Sequence, residues 1–292
     1  LTKKLLHLLS CQKYYLAEGL GQLIVVDTYF LMGNVLKEKV FKDYYFPNLA
    51  DTLIRKGKPF VYFPKFYPGI SLRYFFKSMK IIKESKVPVL TEYQLLRLSD
   101  YFSLILFIVF YPFKLFKLAK KLGDEYEDNL LRFTLWETSD TTVVKGYLRL
   151  LCGRRLAGFP VKQIKCISWF ENQSIDKCFY RGLRKGVNKL TIFGAQLAIR
   201  PDMLLNFHVD EGEKKFDVIP DKILVNGDYY LSCLDSIENV VGPSMRYKKI
   251  FKTKSNPRYA KNILVVMPYY EQDIIYLLDL LDGLLLGAPV FI

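Results

Sequence analysis

Histidine is scarce in this chain and the cysteines are unpaired, which argues against a structural zinc site. Only His7 and His208 occur, and the five cysteines form no C-x-x-C pair. Zinc sites need clusters of these ligands at short spacing, and a disulfide framework needs an even set of cysteines. The sequence therefore predicts neither structural metal nor a disulfide framework, and the widely spaced thiols favour the reducing cytosol.

Glycine-rich phosphate-binding motifs are also missing. The sequence contains no G-x-G-x-x-G fingerprint and no P-loop lysine motif. Dinucleotide-dependent dehydrogenases and P-loop kinases depend on these motifs, because their backbone N–H groups hold the phosphates. Neither class is therefore expected, and the sequence implies no cofactor.

No apolar run reaches the roughly 18 to 20 residues that a membrane-spanning helix needs, and the N-terminus lacks the pattern of a cleaved signal. The nearest run covers residues 101–113, contains Pro112, and continues into a segment with four lysines that ends at residue 121. This pattern predicts either an element that lies on an anionic membrane surface or a buried helix with a solvated basic end.

Acidic residues are outnumbered by basic ones. The chain has 43 Lys and Arg against 29 Asp and Glu, a net charge of +14. Such a surplus favours anionic partners such as sugar nucleotides or acidic lipid. The basic residues are spread along the chain rather than gathered in one stripe, so nucleic acid is not an expected partner.

Short β-branched runs alternate with helical stretches along the chain. The first strand candidate, residues 22–30, has Asp27 and Thr28 near its carboxyl end. The other strand candidates are residues 60–63 (ended by Pro64), 165–170, 189–196, 222–225 and 240–241. The helix candidates are residues 45–56, 70–86, 91–98, 124–151 and 171–186. This alternation predicts an α/β fold with a doubly wound parallel sheet.

The pattern also predicts two domains. The first covers residues 1–246 with a helix-rich middle at about 70–151, and the basic, polar residues 247–261 indicate a linker. Residues 262–292 then begin a second strand–helix–strand unit. Because a unit that stops on a strand leaves a sheet edge unpaired, we expect this second domain to be truncated at Ile292, unless its strands complete another sheet.

The densest group of polar residues lies where a strand meets a helix. It comprises Glu171, Asn172, Gln173 and Lys177, directly after Trp169. Glu171 is a candidate general base towards a sugar hydroxyl, since the end of a buried strand can raise the pKa of a carboxyl group. Alternatively, Asn172 or Glu171 caps the helix and Trp169 packs in the core, and capping is the commoner use of such residues.

Two further groups follow the later strands. Gln196 would emerge at the same sheet edge, and Arg200 beyond it offers a fork for phosphate or carboxylate. Ser244 and Arg246, after the flexible Gly242, suit a phosphate. A simple turn into the linker explains this last group equally well.

The turn between the first strand and the helix of the second domain contains Pro268 and Glu271. In a nucleotide-binding domain this turn faces the phosphates. A carboxylate there repels phosphate but can bind ribose hydroxyls. The two residues are therefore candidate nucleotide contacts.

Several segments carry a resemblance to a known family. They are VVDTYF at 25–30, residues 42–63, WFENQSIDKCFYRGLRK at 169–185, KLTIFGAQ at 189–196, IPDKILVNGDYYL at 219–231 and VVGPSMRY at 240–247. Together they resemble bacterial surface-carbohydrate biosynthesis proteins of the GT-B glycosyltransferase class, relatives of capsule and lipopolysaccharide Kdo transferases. The resemblance implies two Rossmann-type domains, with the acceptor bound by the first and the nucleotide by the second.

By this resemblance the cleft between the domains is lined by Glu171, Asn172, Gln173, Lys177, Gln196, Ser244 and Arg246. The implied reaction moves a sugar from a nucleotide-activated donor, CMP-linked or otherwise, to a growing surface polysaccharide. The implied location is cytoplasmic or peripheral at the inner face of the plasma membrane. A non-catalytic assembly partner with the same fold is the alternative, because Leu197 stands where many relatives have His.

Overall fold

A computed structural model defines the fold over most of the chain. It describes residues 2, 20–67, 69–123, 126–137, 141–186, 189–196, 209–231, 237–243, 245–247 and 271–284. The chain divides into two compact units, Leu1–Lys248 and Lys249–Ile292. The division falls close to residue 246, where the sequence pattern places the end of the first domain.

The first unit is a Rossmann-like α/β domain built on six parallel strands. The strands are β1 (Gln22–Leu31), β2 (Phe60–Tyr67), β3 (Gln163–Trp169), β4 (Leu190–Ala195), β5 (Lys222–Val225) and β6 (Glu238–Val241). They form an open sheet in the order β2-β1-β3-β4-β5-β6, and every pairing is parallel. The predicted doubly wound parallel sheet is therefore confirmed.

Helices cover the sheet. In chain order they are α1 (Met32–Glu38), α2 (Leu49–Arg55), α3 (Leu72–Lys83), α4 (Glu92–Leu95), α5 (Leu98–Ala119), α6 (Tyr126–Glu137), α7 (Thr141–Ala157), α8 (Ser174–Leu183) and α9 (Glu211–Lys215). Two short 3₁₀ helices, Asp228–Tyr230 and Met245–Tyr247, follow β5 and β6. Most predicted elements are present, but the segment 91–98 splits between α4 and α5, and 124–151 splits between α6 and α7.

Alternate side chains of each strand enter two separate cores, as a strand buried on both faces requires. On β1, Leu23 and Val25 join α7 and α8 in one core. Ile24 and Val26 join α1, α2 and α3 in the other. Because helices cover both faces of the described sheet, a ligand is expected at the carboxyl ends of its strands.

Helices α7 and α8 pack with their backbones in close contact. A Cβ atom added to Gly153 of α7 would lie 2.5 Å from the carbonyl oxygen of Phe179 on α8. No side chain fits at that distance, so glycine is required. This close approach fixes α7 against the sheet through α8.

The expectation that Pro64 ends the second strand is wrong. Strand β2 continues through Pro64 to Tyr67 and pairs with β1 along its length, with Pro64 opposite Thr28. Proline lacks an N–H group and is tolerated in an edge strand, where one side of the backbone has no neighbouring strand. β2 is the first strand of the sheet, so the proline costs no pairing with β1.

The sequence also predicts that no segment is long enough to span a membrane, and this prediction is wrong. Helix α5 has 22 residues and runs through Pro112. Among the described residues it is the one helix long and apolar enough to cross a membrane, judged by length and composition alone. The apolar run at 101–113 is shorter than this helix because the lysines from Lys114 onward interrupt it in the sequence.

The second unit contains α10 (Glu271–Leu284), which includes the predicted helix 272–281. The predicted strands 262–267 and 288–292 lie outside the described residues, as does nearly all of the predicted linker. Only its first residue, Tyr247, is described, at the end of a short 3₁₀ helix.

Candidate functional site

The order of the strands locates the place where a ligand is expected. The chain passes from β1 to β2 and then crosses back to β3 on the other side of β1. In an open parallel sheet the helices on either side of such a reversal diverge, and ligands bind there at the carboxyl ends of the strands. In this protein the reversal lies between β1 and β3.

Four aromatic side chains gather at this position, and we call them the edge aromatic cluster: Tyr29, Tyr45, Tyr67 and Trp169. The ring centroids of Tyr45 and Trp169 are 4.0 Å apart, and those of Tyr29 and Trp169 are 5.2 Å apart, in both cases edge to face. The Tyr67 ring lies 6.2 Å from that of Tyr29. Tyr29, Tyr45 and Trp169 are partly exposed and Tyr67 is exposed, so the cluster meets solvent.

The position of Tyr45 is set by a buried carboxylate. Oδ1 of Asp43 accepts hydrogen bonds from the backbone N–H groups of Tyr45 (2.9 Å) and Phe46 (3.2 Å). The same oxygen accepts one from the Thr28 hydroxyl on β1 (2.9 Å). Asp commonly fixes a turn through its own downstream backbone. The loop before α2 is thereby tied to β1, which brings Tyr45 onto Trp169.

Glu171 lies two residues beyond the end of β3, beside the edge aromatic cluster. Its Oε2 accepts a hydrogen bond from the amide of Gln173 at 2.8 Å. The Glu171 carboxylate also acts on two tyrosines of the cluster: burial, mainly, raises the pKa of Tyr29 to about 12, and Glu171 adds to this increase. Burial likewise raises the pKa of Tyr45, with Glu171 contributing. Both phenols are therefore neutral at physiological pH and can donate hydrogen bonds.

Arg246, near the C-terminal end of the first unit in sequence, also lies close to the cluster. It lies in the 3₁₀ helix after β6, and its guanidinium carbon is 5.6 Å from the centre of the Tyr45 ring. Its positive charge opposes the increase in the pKa of Tyr45 that burial causes. Glu171 and Arg246, which the sequence analysis selected separately, thus both act on Tyr45.

Beneath the cluster lies a group of four charges, which we call the buried charge network: Asp27, Lys65, Arg149 and Asp176. Three of these residues are buried, and the side chain of Lys65 is 9% exposed. Arg149 Nη2 lies 2.8 Å from Asp27 Oδ1, and Lys65 Nζ lies 3.0 Å from Asp176 Oδ1 and 3.5 Å from Asp27 Oδ2. Burial lowers the pKa of Lys65, but the two carboxylates more than offset this and raise it overall. The network holds two positive and two negative charges, so it is balanced internally.

The network contacts the aromatic cluster through Lys65. Its ammonium nitrogen lies 4.6 Å from the centroid of the Tyr29 ring, a cation–π contact. Ser168 at the end of β3 donates a hydrogen bond to Asp27 Oδ2 at 2.8 Å. The network therefore fixes the ends of β1, β2 and β3 relative to α7 and α8, directly below the partly exposed rings.

The other polar residues that the sequence groups with Glu171 mainly contact residues of the protein itself. Asn172 is buried with a positive φ of 54°, and its amide donates to Glu213 at 3.3 Å. The ammonium of Lys177 forms an ion pair with the same Glu213. Gln173 is the N-cap residue of α8, and its side chain makes no capping hydrogen bond. Neither Glu171 nor Asn172 occupies that N-cap position.

Gln196 lies at the same sheet edge but inside the protein. It is buried directly after β4. Its Oε1 accepts a hydrogen bond from the backbone N–H of Asn226, which follows β5, at 3.2 Å. This contact ties the ends of β4 and β5 together, so Gln196 supports the rim of the sheet.

Arg200, Ser244 and Pro268 lie outside the described residues. Glu271 begins α10 in the second unit, and the structure does not describe its side chain. Their proposed contacts with substrate and nucleotide stay predictions.

Comparison with protein families, with characterised proteins and with solved structures finds no match to this chain.

Several residues that build this site were not selected from the sequence as site residues. Tyr29, Lys65 and Arg149 belong to β1, β2 and α7, and only the fold brings them together with Asp43 and Tyr45 of the loop before α2. A sequence signal existed for some of them: Asp27, Thr28 and Tyr29 end a buried strand, and the carboxyl ends of parallel strands form the ligand edge. Arg149 gave no such signal, because a single arginine inside a helix is ordinarily solvent-exposed.

Proposed function

We propose that the protein is a glycosyltransferase of the two-Rossmann-domain (GT-B) type, which transfers a sugar from a nucleotide-activated donor to a growing surface polysaccharide. The observation that carries the proposal is the edge aromatic cluster at the β1/β3 reversal, with Glu171 beside it and Arg246 over Tyr45. In this proposal the first unit binds the acceptor and the second unit binds the nucleotide, including through Pro268 and Glu271.

The chemistry of the cluster suits a glycan. A sugar ring has apolar C–H faces that pack on aromatic side chains and a rim of hydroxyl groups that need hydrogen-bond partners. Tyr29, Tyr45 and Trp169 offer apolar rings with polar tips, and such amphipathic side chains favour surfaces that are partly wet. The neutral phenols of Tyr29 and Tyr45 both donate and accept hydrogen bonds.

The two charged residues at the cluster have complementary roles in the proposed reaction. Glu171 positions the acceptor hydroxyl and accepts its proton as the new glycosidic bond forms. The bond from the anomeric carbon of the sugar to the donor phosphate breaks at the same step, and the nucleotide leaves with the bonding electrons. Arg246 faces the negative charge of the donor phosphate, for which its guanidinium group is well shaped. Lys177 is already paired with Glu213, so in this proposal it supports Asn172 through that carboxylate instead of neutralising the donor.

The test is turnover by the full chain with a panel of CMP-, UDP-, GDP- and dTDP-linked sugars and lipopolysaccharide core as acceptor. The informative variant is Glu171→Gln, with Glu84→Gln as the matched control at the exposed residue directly after α3. We expect E171Q to lower kcat about 100-fold or more, as loss of a general base does, without changing the donor KM. E84Q should retain the parental kcat.

Parental turnover by E171Q would remove Glu171 from the mechanism. Binding of a nucleotide sugar by the parental chain in calorimetry would count against the alternative, a non-catalytic assembly partner. If the chain binds none of the nucleotide sugars, the glycosyltransferase proposal itself is wrong.

A further inference from the structure

Helix α5 presents an unusually apolar surface to solvent. Phe102, Phe110 and Phe113 are 63%, 55% and 68% exposed. Six further large apolar side chains between Ile105 and Leu118 are also exposed. Single exposed hydrophobic residues are normal in soluble proteins, but a contiguous apolar surface of this kind marks a binding face.

The opposite side of α5 is attached to the α/β domain. Arg155 of α7 binds Asp100 in the first turn of α5, with 2.8 Å between Nη2 and Oδ1. The ring of Tyr147 on α7 stacks on Phe107 with centroids 4.1 Å apart, and its hydroxyl lies 3.0 Å from that of Ser103. One stripe of α5 is therefore packed on α7, and Leu115 and Ala119 near its C-terminal end are also buried. The exposed apolar side chains lie on the remaining part of the helix surface.

Charge is distributed along α5 in a way that favours an anionic partner. Between Tyr101 and Gly123 the sequence has no acidic residue, and it has four lysines, Lys114, Lys117, Lys120 and Lys121. All four are exposed. An exposed apolar helix surface beside exposed lysines favours a membrane interface, where the apolar side chains enter the lipid and the cations lie at the anionic headgroups.

The neighbouring helix extends this surface. Arg132 of α6 donates to the carbonyl oxygens of Leu122 (3.3 Å) and Gly123 (3.0 Å), directly after α5. Leu131 and Phe133, on either side of Arg132, are exposed. The C-terminal end of α5 and the adjoining α6 are thus joined and both carry apolar side chains in solvent.

We propose that α5 is a membrane-docking element: it lies along an anionic lipid bilayer, inserts its exposed apolar side chains among the lipids and places its lysines at the headgroups. This proposal is independent of the proposed transferase activity. The helix lies on the bilayer and does not cross it, because crossing would pull Asp100, Ser103 and Phe107 away from α7. The lysine-rich end identifies lipid, not a second copy of this chain with its net charge of +14, as the partner.

The first experiment is cosedimentation of the full chain with vesicles of phosphatidylcholine alone or mixed with equal phosphatidylglycerol. We expect binding to the mixed vesicles that weakens as salt is added. The variant Phe110→Ser/Phe113→Ser should lower the partition coefficient by at least about tenfold, because polar side chains replace two phenylalanines that would insert into the lipid. Phe216→Ser, at the equally exposed Phe216 after α9, should bind as the parental chain does.

The second experiment separates a local lysine patch from the overall positive charge. Lys114→Gln/Lys117→Gln/Lys121→Gln should weaken binding to the mixed vesicles by about 100-fold, at roughly fivefold for each lysine near the surface. The charge-matched control Lys77→Gln/Lys83→Gln/Lys86→Gln, around the end of α3, should weaken it far less. Equal effects of the two triple variants would overturn the assignment to α5.

Insertion of α5 into the lipid can also be measured with a variant that keeps an aromatic side chain. A tryptophan placed by Phe110→Trp should be quenched by brominated phosphatidylcholine, whereas one placed by Phe216→Trp should not. Alkaline carbonate should release the bound protein from the vesicles, and resistance to it would show a crossing helix. The proposal would be overturned if the protein did not sediment with the mixed vesicles, or if the Phe110→Trp fluorescence were not quenched. It would also be overturned if the chain formed a dimer without lipid and Phe110→Ser/Phe113→Ser dissociated that dimer.

Discussion

Arg149 and Asp27 form a buried ion pair between helix α7 and strand β1, with 2.8 Å between the guanidinium Nη2 and the carboxylate Oδ1. The guanidinium also lies over the ring of Phe179 on α8, 3.9 Å from its centroid. Both charged side chains are almost fully removed from solvent. In the buried charge network, loss of one partner leaves an uncompensated charge in a region of low dielectric.

The first prediction concerns this pair. Arg149→Met removes the charge but keeps an apolar side chain of similar length, and we expect it to lower the free energy of unfolding by about 3–5 kcal/mol. Urea denaturation of the full chain measures the change. The control is Lys222→Met, which breaks the exposed ion pair with Glu238 and should cost less than about 1 kcal/mol.

A double variant tests whether the charges act as a unit. Asp27→Asn combined with Arg149→Met should cost clearly less than the sum of the two single changes, because the second change removes the charge that the first left unpaired. If the two losses in free energy of unfolding were additive, Arg149 and Asp27 would stabilise the fold independently, and the buried charge network would not act as a unit.

The second prediction concerns pH. Burial is the main cause of a pKa of about 6 for Asp43, against an ordinary value of 3.8. The folded protein therefore binds this proton more tightly than the unfolded chain does. The stability that protonation contributes is fully present below pH 3.8 and is lost as pH rises to about 6, by roughly 3 kcal/mol.

The variant Asp43→Asn isolates this contribution. Urea denaturation at a series of pH values should show that the parental chain loses stability relative to D43N as pH rises from about 4 to about 6. Above that range the difference should stay constant. If the difference in free energy of unfolding between the two proteins did not change with pH, or changed in the opposite direction, Asp43 would not have the raised pKa that its burial predicts.

The third prediction concerns the contact between α7 and α8. Gly153→Ala would place a Cβ atom 2.5 Å from the carbonyl oxygen of Phe179, so the helices must separate, at a cost of about 1–3 kcal/mol or more. Gly33→Ala in α1 is the control, since a Cβ there meets nothing within 4 Å. That change should be neutral or slightly stabilising, because alanine favours helix. Equal thermal unfolding of both variants would refute the close packing.

The sheet was predictable because its signals are local. Each of the strands β1, β3, β4 and β5 is a short apolar run, and the chain alternates them with helices, which is sufficient to predict a parallel sheet. The extent of β2 was not predictable, because whether a strand tolerates Pro64 depends on its position at the sheet edge. That position follows from the strand order, which a single apolar run does not specify.

The candidate site was only partly predictable for a similar reason. Glu171 was found because it follows a strand within a dense polar segment. Arg149 was not found, because its partner Asp27 lies 122 positions away in sequence and neither segment contains a pattern that predicts the contact. Gln196 shows the opposite error: its position at the sheet edge was predicted, but its burial against Asn226 depends on the neighbouring strand.

The fourth prediction concerns the backbone beside Glu171. Asn172 has a φ of 54°, a conformation that asparagine and glycine adopt more readily than alanine. Asn172→Ala should therefore be less stable than Asn172→Gly by about 1 kcal/mol, although both lose the hydrogen bond to Glu213. Chemical denaturation of the two variants side by side measures this difference. The reverse order would contradict the positive φ.

The proposed function requires a ligand to bind at the carboxyl ends of β1 and β3, against Trp169. The chain has two tryptophans, Trp136 and Trp169, so Trp136→Phe leaves Trp169 as the single reporter. Titration of this variant with lipopolysaccharide core oligosaccharide should give a saturable change in Trp169 emission, at least about tenfold weaker after Tyr45→Ala. Oligosaccharide binding by calorimetry with unchanged Trp169 emission, and with equal affinity after Tyr45→Ala, would contradict the claim.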